Sequence, residues 1–267
     1  MLVKSKLLCL IGACVLTSVG VISVQSTTKP SQAVSTPVQA ETPATQVNNL
    51  SQSIGEIEVE HAIALSRFPA DTQVIEDLNR RRTALVSQLQ QIEPQRYQAL
   101  VRSASQSALS SKFGAIDVER TIALSRGQAD TPAIQDLDRQ SILLTARLKE
   151  LQPQRYQALV RSASQSALSS KFGAIDVERT IALSRGQADT PIIQDLNRQS
   201  ILLTARLKDL QPQRYLTLAT SATRSALQLK ITELEAEYQR QADASSRQTL
   251  RVTINSLRQR LTQLDAS

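Results

Sequence analysis

Tryptophan is absent from this chain, aromatic residues make up 3% of it, and histidine occurs once in 267 residues. There are only 7 glycines. Sheet proteins draw on β-branched and aromatic runs punctuated by glycine-rich turns, and a chain this poor in both is a poor candidate for one. Its abundant Ala, Leu, Gln, Ser and Arg suit long helices that bury small and aliphatic side chains. The fold class expected is all-α.

Cysteine is nearly missing too. Cys9 and Cys14 both lie in the apolar N-terminus. The remainder can therefore form no disulfide and carries neither a Cys-based metal site nor a thiol nucleophile. His61, the single histidine, has one neighbour at three or four residues that could share a metal, Glu58; Ile57, Ala64 and Leu65 cannot. One histidine builds no Ser/His/Asp set, and no glycine-rich phosphate loop occurs. Ser103, Ser105, Ser107, Ser110 and Ser111 read as small seam and surface residues. The expectation is no catalytic residue, no metal, no cofactor and no enzyme.

Concentrated charge is the next thing lacking. The formal net charge is +7, with Lys4 and Lys6 supplying two of it and the rest thinly spread. Nucleic-acid binders gather such charge on one face or in one stretch. The tight cluster Arg80-Arg81-Arg82 is answered in the next copy by Arg139-Gln140-Ser141, so it reads as a solvated helix face. Nucleic acid is not an expected partner.

What the chain does have begins at its N-terminus. Two lysines precede an uncharged apolar run at 7–24. A basic start followed by an apolar run is a secretory signature, and this run is just long enough to cross a bilayer. The segment 1–26 is thus a signal peptide or a signal-anchor helix. Three fates stay open: retention in the membrane, cleavage near Ser26, and lipidation at Cys14 within Ile11-Gly12-Ala13-Cys14. Lysines stay cytoplasmic, which places the remaining chain on the outer side of the inner membrane, or free in the periplasm if cleaved. Residues 27–48 are rich in Ser, Thr, Pro and Gln and read as a disordered linker.

The body is a tandem repeat with a period of 59. The stretch from Pro94 to Gln152 recurs from Pro153 to Gln211 with three differences: Ala133/Ile192, Asp138/Asn197 and Glu150/Asp209. Repeat 1, at 49–93, is truncated and lacks the front half of its first helix; repeat 4, at 212–267, is a divergent cap. Such a period signals stacked supersecondary units. Within one unit, Tyr97, Val101, Ala104, Ala108, Ser111, Ala115, Val118 and Ile122 follow a four-three alternation, a heptad seam on a helix from about Pro94 to Arg126. Gly114 is a weak point in that helix rather than a break. Gly127 then ends it, and Thr131-Pro132 starts a second helix, about Pro132 to Gln152, that buries Ile134, Leu137, Leu144, Leu148 and Leu151. Asp117/Arg120 and Asp136/Arg139, spaced i,i+3, mark the solvated face. The seam changes phase at Gln152-Pro153, which favours a corner over a kink. The architecture expected is an array of helical hairpins forming an extended rod.

Tyr97, Tyr156 and Tyr215 recur once per repeat as seam anchors, each preceded by an arginine, Arg96, Arg155 or Arg214. Those arginines and the other basic helix faces carry the alternative of binding nucleic acid or another anionic polymer. The leading expectation is a membrane-tethered, non-enzymatic interaction scaffold whose helix faces bind a protein partner or a second copy. By composition over its whole length, the apolar N-terminus, Pro/Ser/Thr spacer and Gln-rich helical body resemble exported, membrane-anchored helical repeat proteins of cyanobacterial type. Some such proteins act in cell–cell patterning and differentiation, and the resemblance implies the further alternative of a membrane regulator of signalling or differentiation.

Overall fold

The computed structural model describes residues 42–67 and 71–266, all within one compact unit. The apolar run at 7–24, the sites near Ser26 and Cys14, and most of the expected linker lie outside the described residues. Among the described residues no helix is long and apolar enough to cross a membrane. Eight helices and no strand are present there: α1 (Pro43–Ser66), α2 (Thr72–Ile92), α3 (Tyr97–Ser125), α4 (Pro132–Leu151), α5 (Tyr156–Ser184), α6 (Pro191–Leu210), α7 (Tyr215–Arg240) and α8 (Ala244–Asp265). The fold is all-α.

The stop–start signal between helices takes the form its residues dictate. Gly127 adopts φ 73°, a conformation that costs a residue with a Cβ but not glycine. Gln128 N–H then bonds Ala123 O at 3.2 Å and Gly127 N–H bonds Leu124 O at 3.1 Å, satisfying carbonyls that the end of α3 would leave open. Three residues later Thr131 Oγ1 accepts from Ile134 N–H at 3.4 Å, and Pro132 occupies the first helical turn. At the other end the chain turns at Gln152–Arg155, with Tyr156 N–H on Gln152 O at 3.0 Å.

The odd-numbered helices lie side by side: α3 packs on α1, α5 on α3 and α7 on α5. They run the same way, since the cluster around Leu50 and Ile54 takes in Tyr97, Leu100 and Val101, while Ala62, further along α1, shares a cluster with Leu109 and Ile116. Each even-numbered helix packs on its own hairpin partner and also, from α4 onward, on the preceding odd helix: α4 on α1, α6 on α3 and α8 on α5. Among the described residues the even helices do not touch one another. Leu144, Leu148, Leu203 and Leu207 are fully buried in these joints.

Three expectations need correction. α1 starts at Pro43, so residues 43–48 belong to the first helix rather than to the linker, and the shortfall against α3 is five residues, not half a helix. The deepest line of α3 is Ser105, Leu109, Gly114, Ile116, Asp117 and Thr121, not the heptad seam; Ser111 is exposed. A heptad describes one partner, whereas α3 meets α1, α4, α5 and α6 and buries a wider arc. Asp117 does not pair with Arg120 on a solvated face. It is 6% exposed and bound elsewhere, because its turn of helix faces the next hairpin.

Candidate functional site

Glycine and a buried acid recur together on the odd helices. Gly55, Gly114 and Gly173 stand one repeat period apart, as do Glu58, Asp117 and Asp176, one turn further on. A Cβ built on Gly114 would lie 2.6 Å from Ala163 O and 3.0 Å from Ala167 Cβ; one on Gly173 would lie 2.6 Å from Ala222 O. Gly55 meets Ala104 and Ala108 in the same way. Only a residue without a side chain lets the two backbones come this close. Gly114 is therefore a contact point, where the sequence alone suggested a weak spot.

One turn on, each acid is held by an arginine from the second helix of the next hairpin. Arg206 Nε and Nη2 donate to Asp117 at 3.3 and 3.4 Å, and Arg260 Nε and Nη2 donate to Asp176 at 2.9 and 3.2 Å. Glu58, 2% exposed, receives Arg147 Nε at 3.2 Å and also Arg82 from its own hairpin. The fork of a guanidinium matches both oxygens of a carboxylate, which fixes orientation as well as charge. Burial works against the charge on Arg147, but hydrogen bonds to Glu150 and Glu58 outweigh it and raise its pKa above the ordinary arginine value. At the outer rim, burial likewise opposes the charge on Asp195, yet Gln199 and Arg126 hold its pKa below the usual aspartate range.

Arg206→Met should be costly, because it leaves the Asp117 carboxylate buried without a partner. Arg206 is itself 38% exposed, so water can reach the rim, and a loss of about 2–3 kcal/mol is expected. Thermal melting should drop by roughly 5–10 °C for a chain of this size. The double variant Asp117→Leu with Arg206→Met should recover most of that loss.

The residues singled out by chemistry do not converge. His61 is half-buried on α1, and its one candidate co-ligand, Glu58, is committed to two arginines. Among the described residues no group of three or more His, Cys, Asp or Glu is placed to hold a metal. Ser107, Ser110 and Ser111 line an open groove of about 350 Å³ with Ser162, Ser166 and Ser170 of α5. Tyr97, Tyr156 and Tyr215 are half-buried at the feet of their helices, in separate apolar clusters. Lys149 Nζ sits 5.9 Å from the Tyr156 ring centre and Lys208 Nζ 6.0 Å from that of Tyr215. Arg96, Arg155 and Arg214 are exposed in the turns before them.

These joints clamp each hairpin to the next, and open grooves lie between helices of neighbouring repeats. No family model, curated protein or solved structure matches this chain. Function therefore rests on what the surfaces themselves can do. On the even helices Ile142 and Ile201 are each 67% exposed, one step of the repeat apart. The outer face of α1 carries Thr45, Asn49, Gln52, Glu56 and Glu60, all exposed. On α7, Gln228, Thr232, Ala236 and Gln239 are exposed, and Thr232 stands where α3 and α5 have glycine.

Proposed function

We propose that this chain is a non-enzymatic, membrane-tethered scaffold whose helical hairpins stack into a rod on the outer side of the inner membrane and engage a protein partner through their faces. The observation that carries the reading is the recurring joint between hairpins. Each glycine meets an alanine that lies ten positions short of a full repeat further on, so each hairpin is stepped by about 15 Å along the helix axis relative to the last. Stepped units that touch only their neighbours build length rather than an enclosed core. The polar outer face of α1 suits one end of such an array, while α7 at the other end exposes Gln228, Thr232 and Gln239 together with Leu229. Length, regular exposed faces and, among the described residues, no metal-holding cluster or catalytic set suit holding a partner better than transforming a substrate. The tether is the apolar run at 7–24, and the Pro/Ser/Thr-rich stretch after it gives the rod reach.

The test is to express the full chain in a bacterium with an outer envelope, separate membrane from soluble fractions, read the mature N-terminus and cross-link intact cells from outside. A membrane-held chain that cross-links to a protein partner or to a second copy is the expected result. A full-length chain recovered from the cytosol, or one that stays uncross-linked in the envelope, would overturn the reading.

A further inference from the structure

The two near-identical repeats act as a built-in substitution experiment. In the first, Arg120 Nε lies 2.7 Å from Asp138 Oδ1 across the hairpin, an ion pair rather than an aligned hydrogen bond. In the second, Arg179 takes the place of Arg120, but Asn197 stands where Asp138 was. Arg179 is exposed, and no carboxylate among the described residues pairs with it. A second acid has gone as well. Arg126 binds Asp195 on α6 at 3.3 Å. Arg260 does for Asp176 what Arg206 does for Asp117, so α8 aligns with α6 through these two arginines, and Thr249 then occupies the place of Asp195. Arg185, the counterpart of Arg126, is likewise without a carboxylate among the described residues.

The freed Arg179 lines a cavity. Between α5 and α8 lies an open groove of about 400 Å³ whose walls include Asp176, Arg179, Thr180, Gln259, Arg260 and Gln263. That volume is in the range of small-ligand sites. Arg260 spends Nε and Nη2 on Asp176 and keeps Nη1. Two guanidiniums against one carboxylate leave the groove one positive charge in excess. The rest of its lining is hydrogen-bonding. Thr180 Oγ1 donates to Asp176 O at 2.8 Å and Ser256 Oγ to Val252 O at 3.1 Å, so both hydroxyls retain lone pairs to accept. The amides of Gln259 and Gln263 have no partner within the described chain.

We propose that this groove binds an oxyanion carried on a hydroxylated molecule, a sugar acid or a sugar phosphate. The oxyanion is set against the Arg179 fork, which Asn197 leaves without the carboxylate that Asp138 gives Arg120 and which matches carboxylate and phosphate alike. The hydroxyls meet Gln259, Gln263 and the Thr180 and Ser256 oxygens. Leu183 supplies one apolar wall for a sugar face.

Isothermal titration of the full-length chain, in a non-glycosidic detergent, tests this with D-glucuronate and glucose 6-phosphate as probes and neutral glucose and inorganic phosphate as comparisons. At least one anionic sugar should bind more tightly than both comparisons, and which of the two does so separates a carboxylate source from a phosphate one. Arg179→Gln should weaken that binding about tenfold or more, the worth of a lost charge-assisted hydrogen bond. Asn197→Asp should weaken it similarly by restoring the internal partner, and melting should be unchanged in both variants. The proposal fails if neither anionic sugar binds, if glucose or inorganic phosphate binds as well, or if affinity is indifferent to both substitutions.

Discussion

Replacing Leu144 and Leu203 together with aspartate is expected to unfold the middle hairpins at room temperature. Both leucines are fully buried where an even helix meets its neighbours, Leu144 in the cluster with Ala62, Leu109 and Ile116, and Leu203 in that with Leu168, Ile175 and Ile193. Truncating such a side chain alone costs about 2–5 kcal/mol. Aspartate adds a charge with no partner at that depth, so each substitution should exceed about 4 kcal/mol. Two of them approach or pass the whole stability of an ordinary domain, about 5–15 kcal/mol. Circular dichroism in the far ultraviolet should lose much of its helical signal. The comparison pair is Ile142→Asp with Ile201→Asp, the same change two residues away at positions 67% exposed. That pair should stay within about 0.5 kcal/mol per site. If the two double variants melt alike, the leucines are not in the joints between hairpins.

These leucines were legible in the sequence because an even helix has one simple buried side. The start of α4 was legible for a local reason as well: Gly127, Thr131 and Pro132 each act within a few residues of themselves. The same Thr-Pro signal stands at Thr42-Pro43, where Thr42 Oγ1 caps α1 by accepting from Thr45 N–H at 3.3 Å, but a Pro/Ser/Thr-rich surrounding hid it. Long-range pairing was harder to read. Asp117 has a cation at i,i+3, and helix surface statistics favour that pair. Its actual partner, Arg206, is 89 residues away, and only the third dimension brings it near. Asp136 and Arg139, with the same spacing, do pair at 3.3 Å because both are on the outside. The heptad reading failed on α3 for a related reason, since that helix has neighbours on several sides and the pattern of any one of them is diluted. The loss of an acid at Asn197 was visible as one of three differences between copies, yet its meaning depended on knowing that Asp138 faces Arg120.

The glycines give the sharpest test of the stepped packing. In a helix, glycine to alanine normally stabilises by about 0.8–1 kcal/mol through propensity. Gly114 and Gly173 should reverse that sign. An added Cβ would sit 2.6 Å from the carbonyl oxygen of Ala163 or Ala222, a backbone atom that cannot rotate away. The paired helices would have to separate, and Asp117 and Asp176, three residues further along, would be drawn from Arg206 and Arg260. Overpacking of this kind costs about 1–3 kcal/mol for a small addition and more for a large one. Gly114→Leu with Gly173→Leu should therefore lose on the order of 4–6 kcal/mol and lower the melting temperature by roughly 10–20 °C. Thr232 occupies the equivalent place on α7, where it is exposed and no further helix packs among the described residues. Thr232→Leu should then change stability by no more than about 0.5 kcal/mol. A glycine pair that tolerates leucine as readily as position 232 does would mean the odd helices stand further apart than the Gly–Ala contacts require, and the ten-residue step between hairpins would go with them.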